Sequence, residues 1–271
     1  WKNNISNAKV VTTIHSDIAC DLCYNYNFFV SFIFTKIWLH YIKKFDAVVV
    51  ISDQLKKIYE CKLKSISRVY NGIDITYRPD KNDPSIIAQI NKFRDLNYKI
   101  IGSYAYLTRI KGLEQLIKVL EKRKDLAVVI IGEGEAKNEL IELSRTLNVI
   151  DRTLFLDYLP TPYNYLSLFD VYAMCSRSEG FGLAAVEATL MQTPVVCSNI
   201  SIFKEIFDDT KVSFFELDNI SSLLESINIA ISTIGKLKAK VALNYSLNNF
   251  SGYKMASNYL DIYSNLLNGK I

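Results

Sequence analysis

Residues 99–131 have the sequence KIIGSYAYLTRIKGLEQLIKVLEKRKDLAVVII, and this stretch decides the fold class. Its ends, 99–103 and 127–131, are short apolar runs rich in Ile and Val. They show no alternation with polar residues, which predicts strands buried on both faces. Between them Leu116 and Leu120 recur at helical spacing. A strand, a helix and a second strand in this order predict a parallel sheet covered by helices.

The same alternation extends in both directions. Further runs of this kind lie at 9–14, 47–51, 153–156, 171–175 and 194–197. The units between about residues 98 and 214 form a complete doubly wound set. Only about two strands and their helices precede position 71, so the N-terminal domain is expected to be incomplete.

The remaining segments set the domain limits. Residues 76–95 contain Pro79 and Pro84 and are typical of a connection between domains. The tail over 220–267 is helical by spacing, with Gly235 and the polar run 248–252 as expected breaks. We therefore assign 1–95 to a partial N-terminal Rossmann-like domain with its connection. Residues 96–250 are assigned to a C-terminal Rossmann-like domain, and 251–271 to a final helix.

Composition and charge exclude several classes of protein. Of the 271 residues 49% are hydrophobic and 22% charged, which is ordinary for a globular protein. The net charge of +4 is too small for a dedicated nucleic-acid binder. All of the positive excess lies before residue 98, which favours an anionic surface or a phosphorylated substrate. Five cysteines are an odd number spread along the chain, so a reducing cytoplasm is expected rather than a disulfide framework.

The most apolar window is 28–41, FFVSFIFTKIWLHY. It is shorter than the roughly 20 residues that span a bilayer. A buried helix is the favoured interpretation. A helix lying in the plane of a membrane stays open as the alternative, because lysines cluster between Lys36 and Lys64.

The segment 176–190, SRSEGFGLAAVEATL, carries the clearest chemical signal. A predicted strand ends at Cys175, and a helix is expected to begin near Gly182. The free amides and positive dipole end of that helix form a ready anion site. Glu179 and Glu187 are eight positions apart and can face the same pocket.

Two loops upstream strengthen this signal. Arg109 and Lys111 follow a predicted strand. The guanidinium of Arg109 can donate two parallel hydrogen bonds and the ammonium of Lys111 is a compact positive charge, and both suit a diphosphate. Gly132 and Gly134 form a Gly-x-Gly turn after the next strand, which by itself is weak evidence for nucleotide binding.

Taken in order, six motifs carry a family resemblance. They are residues 12–15 (TTIH), 46–52 (DAVVVIS), 70–74 (YNGID), Arg109 with Lys111 and Gly112, Gly132 with Gly134, and the Glu-x7-Glu segment from Glu179 to Glu187. The chain resembles the family 4 retaining glycosyltransferases, or glycosyl transferases group 1. The resemblance implies the α/β GT-B fold, with two Rossmann-like domains facing a cleft and a C-terminal helix returning to the N-terminal domain. Relatives have further strand and helix units before the His15 segment, so the chain is expected to lack an N-terminal part.

The resemblance also implies roles for individual residues. Arg109 and Lys111 would hold the diphosphate of a nucleotide sugar, and Glu187 the ribose hydroxyls. His15 and Glu179 would face the transferred sugar. The remaining donor-binding positions are the amides of Phe181, Gly182 and Leu183, the turn at Gly132, and Tyr158 near the base.

The expected enzyme is a metal-independent hexosyltransferase. No Asp-x-Asp occurs in the sequence, so Arg109 and Lys111 would replace a bridging metal, and neither a metal nor another cofactor is expected. The partners would be a UDP- or GDP-hexose and a glycan or lipid-linked acceptor for bacterial surface polysaccharide, with no nucleic acid. The cytoplasm is the expected location, with peripheral contact at the inner membrane. The alternatives are a truncated, non-catalytic nucleotide-binding relative or partner subunit, and a nucleotide-sugar epimerase.

Overall fold

The computed structural model describes three stretches of the chain, residues 8–75, 78 and 82–270. Two compact units make up this part of the molecule. The first is built from 8–73, 179–181 and 249–270, and the second from the described residues of 74–178 and 182–248.

Strands and helices alternate along most of the described chain. The strands are β1 (Val11–Ile14), β2 (Ala47–Val50), β3 (Ile66–Arg68), β4 (Lys99–Tyr104), β5 (Leu126–Ile131), β6 (Thr153–Leu156), β7 (Val171–Met174), β8 (Val195–Ser198) and β9 (Ser213–Phe215). The α-helices are α1 (Ile18–Asn25), α2 (Phe28–Ile42), α3 (Asp53–Tyr59), α4 (Pro84–Asp95), α5 (Glu114–Lys122), α6 (Lys137–Thr146), α7 (Leu183–Leu190), α8 (Ser201–Ile206), α9 (Ile220–Ile231), α10 (Thr233–Asn249) and α11 (Gly252–Leu267). Short 3₁₀ helices lie at Arg109–Lys111, Ile150–Arg152 and Pro162–Leu168.

The first unit contains a parallel sheet in the order β1-β2-β3. All four residues of β2 are buried, as expected for the central strand of a sheet covered on both faces. Helix α11 belongs to this unit. Its Ile262 packs with Val49 and Val69, and the Tyr259 hydroxyl lies 2.9 Å from Thr13 Oγ1. The C-terminal helix is therefore part of the core of the first unit.

The second unit contains six parallel strands in the order β6-β5-β4-β7-β8-β9. Every residue of β5 is buried, and α5 and α9 pack their leucines and isoleucines on the same core. The direction of winding reverses between β4 and β7. Loops leaving the carboxyl ends of these two strands diverge, and in open α/β sheets ligands bind at that point.

Two strands were not predicted from the sequence. Strands β3 and β9 are three residues long, and each lies at an edge of its sheet in the described part of the chain. Such short runs carry too few apolar residues to show a pattern. The other strands lie within one or two residues of the predicted runs.

The connection predicted over 76–95 is partly wrong. Its second half is helix α4, which begins with Pro84 and is capped by Asp83, whose Oδ1 accepts from the Ser85 amide at 2.8 Å. Asp83 and α4 belong to the second unit, and the Asp83 amide donates to Tyr165 Oη at 2.9 Å. The boundary between the units thus falls after residue 73 rather than at 95, while residues 76, 77 and 79–81 lie outside the described residues.

Gly235 was also wrongly predicted to break the C-terminal helices. It lies inside α10, and the chain turns at Ser232 instead. A Cβ at Gly235 would lie 2.0 Å from the Ala230 carbonyl oxygen, so the glycine lets α10 pack closely on the end of α9. The break expected over 248–252 is present between α10 and α11.

The favoured interpretation of 28–41 as a buried helix is wrong. These residues do form α2, but Ser31 and Ile42 are the side chains that the helix buries. Phe28 is 78% exposed and Phe29 72%. None of the helices among the described residues is both long and apolar enough to cross a membrane.

Candidate functional site

The loop after β4 carries the predicted cations. Arg109 and Lys111 lie on a 3₁₀ turn, at the carboxyl edge of the second unit's sheet. The Lys111 side chain is half-buried, whereas that of Arg109 is 81% exposed. This places both cations beside the reversal between β4 and β7, where a diphosphate would be expected.

Arg109 forms a two-pronged ion pair on the surface. Its Nε and Nη2 donate to the two carboxylate oxygens of Glu139 at 3.0 and 2.7 Å. The pairing raises the pKa of Arg109 and lowers that of Glu139. Because the pair is exposed to water it contributes little to stability, so an anionic ligand can replace Glu139 at small cost.

Arg177 fastens this cationic loop to the loop that follows β7. Its backbone amide donates to the Ile110 carbonyl at 2.8 Å, and its Nη1 donates to the Arg109 carbonyl at 2.7 Å. Nη2 donates to Glu114 and Asp218, each at 2.5 Å. These carboxylates raise the pKa of Arg177 and fix the direction of its guanidinium.

A buried glutamine completes the connection. Gln115 is 1% exposed, and its Nε2 donates to the carbonyls of Gly112 and Cys175, each at 3.2 Å. Its Oε1 accepts from the Asp218 amide at 2.9 Å. Both loops at the winding reversal are thus held by side chains whose hydrogen-bonding groups are satisfied.

Glu187 lies on the second turn of α7 and faces β4. The Tyr104 hydroxyl donates to its Oε2 at 2.5 Å. Burial raises the pKa of Glu187, and the hydrogen bond from Tyr104 partly offsets that rise. Burial also raises the pKa of Tyr104, whose ring packs on Tyr172 with centroids 4.9 Å apart. A carboxylate held in this way keeps one oxygen oriented and leaves capacity to accept further hydrogen bonds.

The start of α7 depends on Gly182. This residue has φ +84°, and a Cβ there would lie 2.4 Å from Cε1 of the buried Phe203. The helix begins at Leu183, next to the predicted start near Gly182, and the Leu183 side chain is exposed.

Tyr104 also borders a hollow of about 540 Å³ on the second unit. Gly132 and the largely exposed Tyr158 line the same hollow, which is within the size range of small-molecule sites. Beside it Lys137 Nζ donates to Glu133 at 2.8 Å and to Asp157 at 2.5 Å. Two predicted donor-binding residues, Gly132 and Tyr158, are therefore brought together next to the residue that holds Glu187.

The other predicted residues belong to the first unit. His15 directly follows β1 and is exposed. The segment 179–181 packs on this unit, and a Cβ at Gly180 would lie 2.3 Å from the His15 carbonyl oxygen. Glu179, half-buried, is thus close in the chain to a residue that touches the His15 backbone.

The Phe181 side chain packs inside the first unit. Its ring is 3% exposed and packs against Tyr70 and Phe250, with centroid distances of 5.7 and 5.6 Å. The role expected of Phe181 concerned its backbone amide, and that role stays a prediction. So does the convergence of Arg109, Lys111, Glu179 and Glu187 on one donor site.

Metal-ligating side chains do not gather in the described part of the chain. No group of three or more His, Cys, Asp or Glu residues there has the geometry to hold a metal ion. The Cys20 and Cys23 thiols lie on α1, and burial of Cys20 raises its pKa.

Comparison with known proteins places this geometry in a family. A family model described as glycosyl transferases group 1 matches residues 86–242, more than half of the chain. The chain belongs to this family. It is a glycosyltransferase, which favours the enzyme over the non-catalytic alternative.

Curated relatives extend the match beyond the second unit. The glycosyltransferase is 34% identical over 265 residues to the O-antigen biosynthesis glycosyltransferase WclY of Escherichia coli, covering 95% of this chain and 72% of that protein. It is 26% identical over 236 residues to the UDP-Gal:alpha-D-GlcNAc-diphosphoundecaprenol alpha-1,3-galactosyltransferase of Escherichia coli, covering 80% of this chain and 58% of that protein. These relatives support a role in bacterial surface glycan synthesis.

A solved structure confirms the fold class. HepE of Anabaena, crystallised with UDP-glucose, matches with a TM-score of 0.81 at 20% identity, over 97% of this chain and 74% of that one. The glycosyltransferase therefore has the α/β GT-B fold that the sequence predicted.

Proposed function

We propose that the enzyme transfers a hexose, with retention of anomeric configuration, from a nucleotide diphosphate sugar to a glycan or lipid-linked acceptor of a surface polysaccharide. The observation that carries the donor assignment is the fastening of the Arg109–Lys111 turn to the β7 loop at the winding reversal. The names of the relatives above include UDP-Gal, a diphosphoundecaprenol acceptor and UDP-glucose, which supports this choice of donor and acceptor.

The reaction needs positive charge at the leaving group. Breaking the bond between the sugar and the phosphate leaves negative charge on the departing nucleotide diphosphate. Lys111 and Arg109, together with the free amides at the start of α7, would stabilise that charge from fixed positions. Arg109 would exchange Glu139 for a phosphate oxygen when the donor binds.

Glu187 would accept hydrogen bonds from the ribose hydroxyls of the donor. The Tyr104 hydroxyl donates to one carboxylate oxygen of Glu187, and Tyr104 itself borders the hollow. Tyr158 would lie near the base. The family resemblance assigns His15 and Glu179 to the transferred sugar.

The transfer would proceed without a metal. The cations of the Arg109–Lys111 turn are suited to neutralise a diphosphate directly. Retention is proposed from the family resemblance. The same resemblance is the basis for expecting a donor that carries either UDP or GDP. We place the enzyme in the cytoplasm, because its cysteines are thiols rather than disulfides.

A donor panel tests the proposal. The purified enzyme is incubated with UDP- and GDP-hexoses, with and without a diphospho-lipid acceptor and with a metal chelator. We expect chelator-resistant release of the nucleoside diphosphate, stimulated by acceptor and lost in Lys111→Ala. Epimerised donor without acceptor, or nucleotide binding without any transfer, would contradict the proposal.

A further inference from the structure

Helix α2 presents an apolar face that the transfer chemistry does not use. The side chains on this face are between about two-fifths and four-fifths exposed: Phe28, Phe29, Phe32, Ile33, Phe34, Ile37 and Tyr41. Single exposed apolar residues are common on protein surfaces, but a continuous patch of this kind marks an interaction site.

The side of α2 that faces the unit holds small hydroxyl side chains beside larger apolar ones. Ser31 is 2% exposed, and its hydroxyl donates to the carbonyl of Asn27 within the same helix. Thr35, one turn on, is half-buried and donates to the Ser31 carbonyl at 2.7 Å. Ser31 and Thr35 therefore face the unit together with Trp38, whose ring lies 5.8 Å from that of the buried Tyr59, whereas the phenylalanines of α2 face outward. Water is a poor solvent for such a face.

Cations surround this face. Residues 28–44 contain three lysines and no Asp or Glu. Lys36 Nζ lies 4.4 Å from the centroid of the Phe32 ring, and Lys44 Nζ lies 4.7 Å from that of Tyr41. Lysines beside an exposed aromatic face are typical of helices at a membrane interface.

The positive rim continues past the end of α2. A hollow of about 590 Å³ in the first unit is lined by Lys43, Lys62 and Lys64, with Asp46 and Glu60 also on its wall. The lysines outnumber the carboxylates there. An anionic headgroup layer is thus favoured along the helix and beyond its C-terminal end.

We propose that α2 lies in the plane of an anionic lipid bilayer, with its aromatic face in the headgroup region and its lysines on lipid phosphates. The inference deepens the proposed function, because a lipid-linked acceptor would be presented at such a surface. With 15 residues α2 is about 22 Å long, which suits a helix that lies along the membrane.

A second copy of the chain fits the face less well than a bilayer does. A symmetric contact would bring the same surface of both copies together. The lysines of 28–44 would then meet lysines, with no carboxylate on the segment to pair with them. Anionic lipid provides the missing charge.

Vesicle flotation of the full chain tests the inference. The vesicles are phosphatidylcholine alone, or an equimolar mixture with phosphatidylglycerol, at low and at physiological salt. We expect binding to the anionic vesicles. The double variant Phe29→Ser/Phe34→Ser should weaken it by at least about tenfold. Lys43→Gln/Lys44→Gln should weaken binding to the anionic vesicles about tenfold at low salt. The binding that remains should depend less on salt concentration.

Matched controls separate this inference from the proposed function. Leu237→Ser/Leu247→Ser removes two comparably exposed apolar side chains from α10 and should leave flotation unchanged. All variants should bind UDP with the affinity of the unsubstituted protein, so a defect in donor binding would show independently. Absence of flotation with anionic vesicles at low salt, or flotation unaffected by Phe29→Ser/Phe34→Ser, would overturn the inference. So would a dimer in light scattering that this double variant dissociates.

Discussion

The hydroxyl of Tyr104 donates to Glu187 at 2.5 Å and thereby joins the end of β4 to helix α7. Tyr104 closes one strand at the winding reversal, and Glu187 follows the loop that leaves the other. Both groups are largely buried, and burial raises the pKa of each. The contact sets the direction of the carboxylate and influences the pH range in which it is charged.

Replacing Tyr104 by Phe should weaken nucleotide binding and change its pH dependence. The hydrogen bond lowers the pKa of Glu187 against the larger effect of burial, so its loss should raise that pKa further. If the carboxylate accepts from ribose, UDP affinity increases as pH rises through this pKa. Titration calorimetry across pH should show the midpoint at higher pH in Tyr104→Phe, with about tenfold weaker binding at neutral pH. An unchanged midpoint would contradict this account.

Glu187 should make the enzyme less stable as pH rises. Its pKa in the folded protein is raised, so its contribution to stability is fully present below the ordinary carboxyl range. That contribution is lost as pH rises through the raised pKa. The Tm of Glu187→Gln relative to the unsubstituted protein should therefore increase as pH rises above the ordinary carboxyl range. The exposed Glu121→Gln should show no such trend, and a difference that is flat for Glu187→Gln would refute the prediction.

Arg177 should act as a positioning residue for the cationic turn. Arg177→Ala removes the donor to the Arg109 carbonyl and leaves Glu114 and Asp218 without their shared cation. We expect a loss of about 100-fold in kcat/KM with a raised KM for the donor, because small displacements of binding groups are costly. Arg177→Lys should recover little, since an ammonium cannot reproduce the fork.

The matched control for Arg177 is Arg145→Ala, which breaks an exposed pair with Glu142. It should leave steady-state kinetics unchanged. If Arg177→Ala lowered the Tm but kept the donor KM, Arg177 would be structural only.

Gly182→Ala should destabilise the second unit. The new methyl group would combine a left-handed backbone with an overlap on Phe203. We expect a loss of about 2–3 kcal/mol in urea unfolding. Gly269 also has a positive φ, +68°, but no atom lies within 4 Å of a Cβ placed there. Gly269→Ala therefore tests the backbone conformation alone, and it should lower the free energy of unfolding by about 1 kcal/mol or less. Equal losses for the two variants would show that contact with Phe203 is unimportant.

Patterns that depend on neighbours in the chain predicted the fold. Strands such as β5 are buried on both faces and have continuous apolar sequences, so their position follows directly from composition. The edge strands β3 and β9 have three residues each and are not buried at every position, so their sequences show no continuous apolar run. The orientation of α2 was predicted wrongly because a hydrophobic sequence shows that a helix needs an apolar partner, and does not show what that partner is.

The chemistry of the site was predicted less completely than its location. Gly182 and Glu187 were found because the turn and the helix start are adjacent in sequence. Tyr104, Gln115 and Arg177 were missed, since the hydrogen bonds by which they join the loops of the site connect residues between 41 and 103 positions apart. Placing a Tyr at the end of β4 opposite a Glu on α7 requires the strand order, which local spacing does not determine.

Calorimetric titration of the enzyme with UDP, in Lys111→Ala beside the matched exposed control Lys118→Ala, tests the central claim most directly. The account predicts that Lys118→Ala binds like the unsubstituted protein. It predicts a loss of affinity of at least about tenfold in Lys111→Ala, from removal of one charge-assisted contact. Equal affinity in the two variants would contradict a diphosphate site on the Arg109–Lys111 turn.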